Sequence, residues 1–290
     1  DYPNVDWQSS SANNIVLVES GKQYKVLTLT DCFEYDEQTY NYYGSYSFTG
    51  TKIEQAVVTA ILNVTTDDKV VVDMIKGNNE QDYSSLKTLL ENNAYQVNEV
   101  SLATGDFDSN AKIAIMYAPS VDLDEKIVEK LSTWLSNDGK YGRSLIYVPT
   151  ADMGEMPNLD DFLKEWGMSI DRGYVFETDE STLVSASSPY AFTVSYGDYY
   201  KDNLKNSKIP VVVSESHAVN ITDENTAHAL LKTSDKAGVL PIDADKNWDY
   251  KDAVSGNGEN VAAEGVMTNE DKNSSRVIIF GSYVMFSDTI

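Results

Sequence analysis

The chain has 290 residues, of which 41% are hydrophobic, so it can bury a large core as one big α/β domain or two smaller ones. Lys and Arg number 22 against 46 Asp and Glu, which gives a formal net charge of −24 at pH 7. Such a surface repels phosphate backbones and anionic lipid headgroups, so we expect no nucleic-acid partner and no membrane binding through a basic face.

Cysteine content and hydropathy narrow the class further. Cys32 is the only cysteine, which excludes an internal disulfide and a CxxC metal site. No apolar run approaches the roughly 20 residues that a membrane span requires. The chain begins at Asp1 rather than at Met, and we expect it to be a piece of a longer protein whose membrane anchors lie outside it.

The first part of the chain reads as a β-rich segment followed by a helix. Two apolar runs, 15–18 and 24–29, flank Ser20-Gly21-Lys22 and predict a hairpin. Apolar residues at spacings of three and four predict a helix over 53–64, opened by a capping box from Thr51 to Glu54. We therefore predict an amino-terminal domain over 1–66, consisting of a hairpin segment and a linking helix.

A tyrosine-rich stretch, 35–48, lies between the hairpin and this helix. Such a stretch can be a platform on which sugars stack, with Tyr42 and Tyr43 as the candidate residues. It can equally be a strand or loop whose rings cover the edge of a core.

From residue 67 the pattern alternates between strands and amphipathic helices. Helices are predicted after Asp82, after the box Asp122-Leu123-Asp124-Glu125, and from Asn158. Strands are predicted over 70–75, 95–102, 112–117, 144–148 and 173–176, the last returning to the sheet. This alternation predicts an α/β domain over 67–290, with a mainly parallel sheet and helices on both faces.

The pattern loosens over 180–275, which we predict to be a loop-rich excursion. Three short strands are expected there, over 192–195, 209–214 and 229–233. Residues 243–275 show little regular structure, and a buried strand over 276–282 closes the chain.

The turn Lys76-Gly77-Asn78-Asn79-Glu80 follows the first buried strand and precedes a helix, a layout that often holds ligands. It lacks the second glycine and following lysine of a Walker loop, and it lacks GxGxxG. We therefore predict that Lys76, Asn78, Asn79 and Glu80 line a binding surface, together with Ser120 after a later strand. We predict no catalytic residue in this turn.

Other chemistry is weakly supported. The only histidines, His217 and His228, are eleven residues apart and build no zinc triad, although a hydrolase with one of them beside a serine and an acid stays open. The run from Asp243 to Asp249 resembles the first half of a calcium loop. It has Trp248 where the loop needs glycine, so we predict no metal centre and no cofactor, with a weak Ca²⁺ site left open.

The order of these segments resembles that of the GldG family, in its Gram-positive form. The resemblance is carried by residues 15–26, 33–36, 54–65, the strand leading into 76–80, and the segments 118–123 and 277–282. Members of this family are extracytoplasmic domains of auxiliary membrane proteins encoded with ABC transporter permeases. Many have Gly-His-Gly-Glu where this chain has Gly77-Asn78-Asn79-Glu80.

The resemblance implies a sheet of the class I glutamine amidotransferase-like or flavodoxin-like kind, without catalytic residues. It also implies a non-catalytic domain on the extracellular face of the cell membrane, tethered by transmembrane helices outside this chain. Its expected partners are the permease and ATPase subunits of an ABC transporter, and a glycan, wall polymer or small molecule. A carbohydrate-binding module is the alternative function, and the hydrolase is the second alternative.

Overall fold

The computed structural model describes residues 2, 14–201, 204–245, 247–254 and 256–287. The chain divides into two compact units. We call Asp1–Val70 with Lys87–Gln96 the amino-terminal unit, and Val71–Leu86 with Val97–Ile290 the sheet unit.

The amino-terminal unit contains two small antiparallel sheets. In chain order its elements are β1 (Val16–Ser20), β2 (Gln23–Leu27), α1 (Leu29–Cys32), β3 (Phe33–Tyr35), α2 (Glu37–Tyr43), β4 (Phe48–Thr51) and α3 (Ile53–Thr65). β1 pairs with β2, and β3 pairs with β4. The predicted hairpin is confirmed: Ser20 lies opposite Gln23, and Gly21 adopts a φ of +60° in the two-residue turn.

The tyrosine-rich stretch is a helix in part, so its prediction as a strand or loop was wrong over α2. Asp36 caps this helix, because its carboxylate accepts hydrogen bonds from the amides of Gln38 (2.9 Å) and Thr39 (3.1 Å). Gly44 ends it in the left-handed conformation, with φ +68°. These caps are readable in the sequence, but the run of aromatic residues between them favoured a strand.

The predicted capping box at Thr51 is also wrong. Thr51 is the last residue of β4 and pairs with Phe33. The position before α3 is Lys52, whose side chain makes no cap hydrogen bond. Strand pairing therefore places Thr51 outside the helix that its sequence spacing suggested.

The sheet unit contains most of the regular structure, and α4 (Ser84–Asn92) runs across the division between the units. In chain order, the first strands of the sheet unit are β5 (Val71–Ile75), β6 (Gln96–Val100), β7 (Ala111–Tyr117), β8 (Ser144–Val148), β9 (Met168–Ile170) and β10 (Tyr174–Phe176). Its later strands are β11 (Leu183–Ser185), β12 (Ser188–Tyr196), β13 (Val211–Ser214), β14 (Val219–Ile221), β15 (Ala227–Lys232), β16 (Gly238–Leu240), β17 (Asn260–Thr268) and β18 (Ser274–Phe280). Its other helices are α5 (Glu125–Ser136), α6 (Pro157–Glu165) and α7 (Asp198–Lys201).

Ten of these strands form one mixed sheet, in the order β11-β12-β15-β17-β18-β8-β7-β5-β6, with β13 paired to β12. β5, β7, β8 and β18 are parallel to their neighbours within this group. β17, β15, β12, β11 and β13 extend the sheet by antiparallel pairing. The coarse α/β prediction is confirmed, and the centre of the sheet is parallel. The prediction of a mainly parallel sheet is wrong, because the later strands β11, β12, β13, β15 and β17 extend this centre by antiparallel pairing.

Two predictions in the second half of the chain are wrong. β10 does not return to the large sheet, because it pairs with β16 in a separate two-stranded sheet. The segment 243–275 contains β17, nine residues long and buried over most of its length, between β15 and β18. Its sequence, NVAAEGVMT, mixes alanine, glycine and a glutamate, so it lacks the β-branched run by which a central strand is recognised.

The parallel strands form the core, as the apolar runs predicted. All five residues of β5 are buried, including Asp73. The Asp73 carboxylate accepts hydrogen bonds from Asn98 Nδ2 (3.1 Å) and from the amide of Asp108 (2.7 Å). A buried acid needs such partners, and these join β5 to β6 and to the segment before β7.

The box at Asp122 to Glu125 caps two helices rather than one. Asp124 caps α5 by accepting from the amide of Lys126 (2.9 Å). The Asp122 carboxylate instead accepts from the amides of Asn158 (3.0 Å) and Leu159 (3.2 Å) at the start of α6. Asn158, predicted as the cap of α6, donates from its side chain to the carbonyl of Leu123 (2.7 Å). These bonds fix the loop after β7 against the start of α6.

The burial of Glu264 on β17 can be tested through the pH dependence of the protein's stability. It is 3% exposed, and its carboxylate lies 3.6 Å from Arg276 Nε. In the strand register it lies opposite His228 on the neighbouring strand β15. Burial raises the pKa of Glu264, and the charge of Arg276 opposes that shift. An acid whose pKa is raised by folding stabilises the fold below its unfolded pKa and loses that contribution as pH rises through its folded pKa.

Glu264→Gln is therefore expected to unfold at the same or a higher temperature than wild type at pH 7, with a gain of up to about 1 kcal/mol. We expect this difference to shrink or reverse toward pH 4, where the wild-type carboxyl is protonated. Thermal melting between pH 4 and 7 measures it, with Glu129→Gln on the exposed side of α5 as a matched loss of one charge. A difference that is constant across this range contradicts the assignment.

Candidate functional site

The loops after β5 and β7 meet at the carboxyl edge of the parallel strands. The amides of Ser120 and Val121 both donate to the carbonyl of Asn78 at 3.1 Å. The amide of Gln81 donates to the carbonyl of Ala118 at 3.2 Å. These bonds bring the predicted turn and Ser120 together, as expected for two parallel strands that are neighbours in a sheet.

Side chains reinforce this junction. Asn79 Nδ2 donates to Ser120 Oγ at 2.5 Å, and Ser120 Oγ donates to the carbonyl of Asn79 at 3.0 Å. Asn79 has φ +56° and Ala118 has φ +46°, so both loops turn through the left-handed region. Asn78 is buried, whereas Asn79 and Ser120 are exposed at this edge. The result is a polar surface cross-linked by hydrogen bonds.

Glu80 occupies the backbone donors of the turn. Its carboxylate accepts from the amide of Gly77 (3.0 Å) and from the amide of Asn78 (2.8 Å). Amides in this position often bind phosphate in α/β proteins. Lys76 forms an exposed ion pair of 3.1 Å with Glu99. An anion could use these amides only by displacing the protein's own carboxylate.

Replacing Glu80 with glutamine is expected to lower the free energy of unfolding by about 1–2 kcal/mol, because the amide side chain offers only one acceptor to two donors. Urea unfolding of the two proteins measures the difference, and Glu129→Gln is the control for loss of an exposed charge. An effect no larger than that of the control would contradict the role given to Glu80.

Tyr42 and Tyr43 lie in the amino-terminal unit. They are the last two residues of α2, are 82% and 72% exposed, and have ring centroids 4.7 Å apart. Tyr40 and Tyr46 stack nearby with centroids 4.6 Å apart. The exposed rings form an aromatic surface on this unit.

A pocket in the sheet unit was not predicted. It has a volume of about 340 Å³ and is lined by Tyr174, Tyr190, Glu215 and Leu240. The Tyr174 hydroxyl donates to the carbonyl of Ala151 at 2.8 Å, three residues beyond the end of β8. The pocket therefore lies at the same carboxyl edge of the sheet as the predicted turn. Its residues come from four distant segments, so no spacing in the sequence connects them.

Both tyrosines of this pocket stay protonated at neutral pH. Burial raises the pKa of Tyr174, and the negative charges of Asp152 and Glu215 add to the shift. Burial and the hydrogen bond with Tyr250 raise the pKa of Tyr190 to about 12. The rings are therefore neutral aromatic surfaces with hydroxyl groups already hydrogen-bonded.

The two histidines have other contacts. His217 is 1% exposed, and its Nδ1 and Nε2 each lie 3.0 Å from a backbone carbonyl oxygen, that of Gly173 and that of Thr150. The ring of His228 stacks on Tyr199, with centroids 4.2 Å apart. Within the described residues, no ring nitrogen of either histidine is hydrogen-bonded to a serine hydroxyl or a carboxylate. The geometry gives the hydrolase alternative no support.

A second cleft lies at the opposite, amino edge of the parallel strands. Its volume is about 640 Å³, and it is lined by Phe107 and Asp108 before β7, by Arg143 before β8, and by Trp134 on α5. Arg143 lies over the Trp134 ring, 5.3 Å from its centroid. Trp134 Nε1 has no hydrogen-bond partner among the residues that the structure describes.

The residues that the structure describes also bear on metal binding and on membrane spans. No group of three or more His, Cys, Asp or Glu side chains that could hold a metal occurs within them. The weak Ca²⁺ site left open at 243–249 includes Lys246, which lies outside the described residues. None of the described helices has the length and apolar character needed to cross a bilayer.

Comparison with known proteins identifies a fold and no family. No protein-family profile matches the sequence, and no curated protein matches it. The solved mmIFT52 N-terminal domain is similar with a TM-score of 0.54 and 14% identity, over 75% of this chain and 88% of that one. The structure of PurLQS from Thermotoga maritima aligns over 73% of this chain and 85% of its own, at 10% identity and a TM-score of 0.35. The first likeness concerns the fold alone, and the second is too slight to support an argument.

Proposed function

We propose that this chain is a non-catalytic extracellular binding domain of a membrane-anchored accessory protein in an ABC-type transport system. The ordered resemblance to the GldG family motivates the class and the location. The binding role rests on one observation at the carboxyl edge: the Glu80 carboxylate accepts hydrogen bonds from the amides of Gly77 and Asn78. With these donors occupied, the edge offers a pre-formed polar surface for a permease partner, a substrate or a wall polymer.

The strand order supports the finer fold that we propose. Numbered by their order in the chain, β6-β5-β7-β8-β18 has the order 2-1-3-4-5 of a flavodoxin-like sheet. The class I glutamine amidotransferase-like assignment, with helices on both faces, belongs to the same proposal. In such sheets ligands bind where the order reverses, which here is between β5 and β7. The turn at 76–80 and Ser120 lie at that point.

Deletion of this domain from the full-length protein in its native host tests the proposal. We expect transport by the cognate ABC system to fall while the permease and ATPase remain in the membrane. Surface labelling of intact cells should reach Tyr42 and Tyr43 if the domain is extracellular. Unchanged transport after deletion would contradict the proposed function.

Carbohydrate binding is the second candidate, and the exposed rings favour it. Tyr42 and Tyr43 present aromatic area to solvent, on which sugar rings can stack. A glycan array tests this candidate, with a Tyr42→Ser/Tyr43→Ser double variant as control. Signal that is absent, or equal in the two proteins, would remove it.

A further inference from the structure

The pocket formed by Tyr174, Tyr190, Glu215 and Leu240 combines aromatic rings with a carboxylate. Tyr174 and Tyr190 supply the rings, and Leu240 on β16 supplies an apolar wall. A volume of about 340 Å³ suits a small organic ligand rather than a bare ion. Its position at the carboxyl edge places it where α/β proteins hold ligands.

The two tyrosines are fixed in place before any ligand arrives. Tyr174 donates to the carbonyl of Ala151 (2.8 Å), and its ring stacks on buried His217 with centroids 5.3 Å apart. The Tyr190 hydroxyl is hydrogen-bonded to that of Tyr250 (3.3 Å). Since both hydroxyls have partners, the rings offer mainly their aromatic surfaces, and little entropy is lost when a ligand binds.

Glu215 supplies an uncompensated negative charge. It is exposed, and its carboxylate makes no hydrogen bond or ion pair within the described residues. Its backbone has φ +50°, a conformation that costs a glutamate about 1 kcal/mol or more. The amide of Glu215 donates to the carbonyl of Tyr190 at 3.0 Å, which places the two residues side by side at the pocket.

We propose that this pocket binds an organic ammonium group, with the cation against the tyrosine rings and Glu215 as its counter-ion. Cations are attracted to the faces of tyrosine rings, and the attraction grows when the site excludes water. Leu240 gives the methyl or methylene groups of such a ligand an apolar contact. The net charge of −24 raises the local concentration of cations. The proposal rests on the proposed function in one respect, that the carboxyl edge binds the ligand.

Choline and its uncharged isostere, 3,3-dimethylbutan-1-ol, separate charge from shape. Titration calorimetry of the purified chain with each compound is expected to show choline binding at least about tenfold more tightly than the alcohol. Glucose is the neutral sugar control, and its titration into the purified chain is expected to give no heat of binding. Equal affinity for choline and the alcohol, or no choline binding at tens of millimolar, would overturn the proposal.

Two variants locate the site. Glu215→Gln keeps the shape of the side chain and removes its charge, and we expect about a tenfold loss of choline affinity. Glu129→Gln removes one charge from α5 beside the opposite edge of the sheet and should bind choline as wild type does. Equal losses in the two variants would mean non-specific attraction and overturn the site. If choline fails to bind while domain deletion still abolishes transport, the ligand class is wrong and the proposed function stands.

Discussion

Replacing His217 with alanine is expected to lower the free energy of unfolding by about 3–5 kcal/mol. The ring is 1% exposed and lies 3.0 Å from both the carbonyl of Gly173 and that of Thr150. Alanine would leave these buried carbonyls without their partner and open a cavity beneath Tyr174. The imidazole joins the start of β10 to the loop after β8, so its loss should loosen the carboxyl edge.

Urea unfolding followed by tryptophan fluorescence measures this effect, because Trp134 and Trp166 are buried in the sheet unit. His228→Ala is the matched control. That ring is partly exposed and stacks on Tyr199, so we expect a loss of no more than about 1 kcal/mol. Similar losses in the two variants would contradict the structural role assigned to His217.

Glu177→Ala is expected to cost about 3–4 kcal/mol. The carboxylate of Glu177 is 1% exposed and accepts four hydrogen bonds. Two come from the amides of Thr178 and Asp179, both at 2.8 Å. The other two come from Ser234, from its amide at 3.2 Å and its hydroxyl at 2.9 Å. Alanine removes all four acceptor contacts at once and separates the segment after β10 from that after β15.

Glu180→Ala changes an exposed glutamate of the same segment and serves as the control. We expect it to change the free energy of unfolding by less than about 0.5 kcal/mol. The comparison is made by urea unfolding at pH 7. A Glu177 variant as stable as the Glu180 variant would show that the buried carboxylate is dispensable.

The parallel centre of the sheet could be predicted because its strands are apolar on both faces and its helices are amphipathic. β5, β7 and β8 lie where the runs 70–75, 112–117 and 144–148 placed them. β17 was missed because its burial comes from the strands on either side, not from its own composition. α2 was missed because its tyrosine-rich composition is typical of strands, so that only its caps at Asp36 and Gly44 mark it as a helix.

The candidate site, like the fold, could be predicted only in part from the sequence. The turn at 76–80 and Ser120 were predicted together because parallel strands end at one edge, and local sequence is enough to find strand ends. The Glu80 carboxylate accepts hydrogen bonds from the amides of its own turn. This arrangement depends on a side-chain conformation that no sequence motif encodes. Tyr174, Tyr190 and Glu215 converge only through pairings between distant strands, and the positive φ of Glu215 leaves no mark in the sequence.

We propose that the carboxyl edge near Lys76 is a binding surface needed for transport. Lys76 and Lys164 are both exposed and both paired with an acid, at 3.1 Å and 2.8 Å, but only Lys76 lies at this edge. Each charge-reversal variant, Lys76→Glu or Lys164→Glu, is expressed in the host lacking the domain, and the restored transport rate is measured. We predict that Lys76→Glu reduces the rate by at least about tenfold, because a reversed charge within an interface costs more than the roughly 1.4 kcal/mol that corresponds to a factor of ten, while Lys164→Glu restores the rate fully. Full restoration by Lys76→Glu, with both variants folded and present in equal amounts, would contradict the claim.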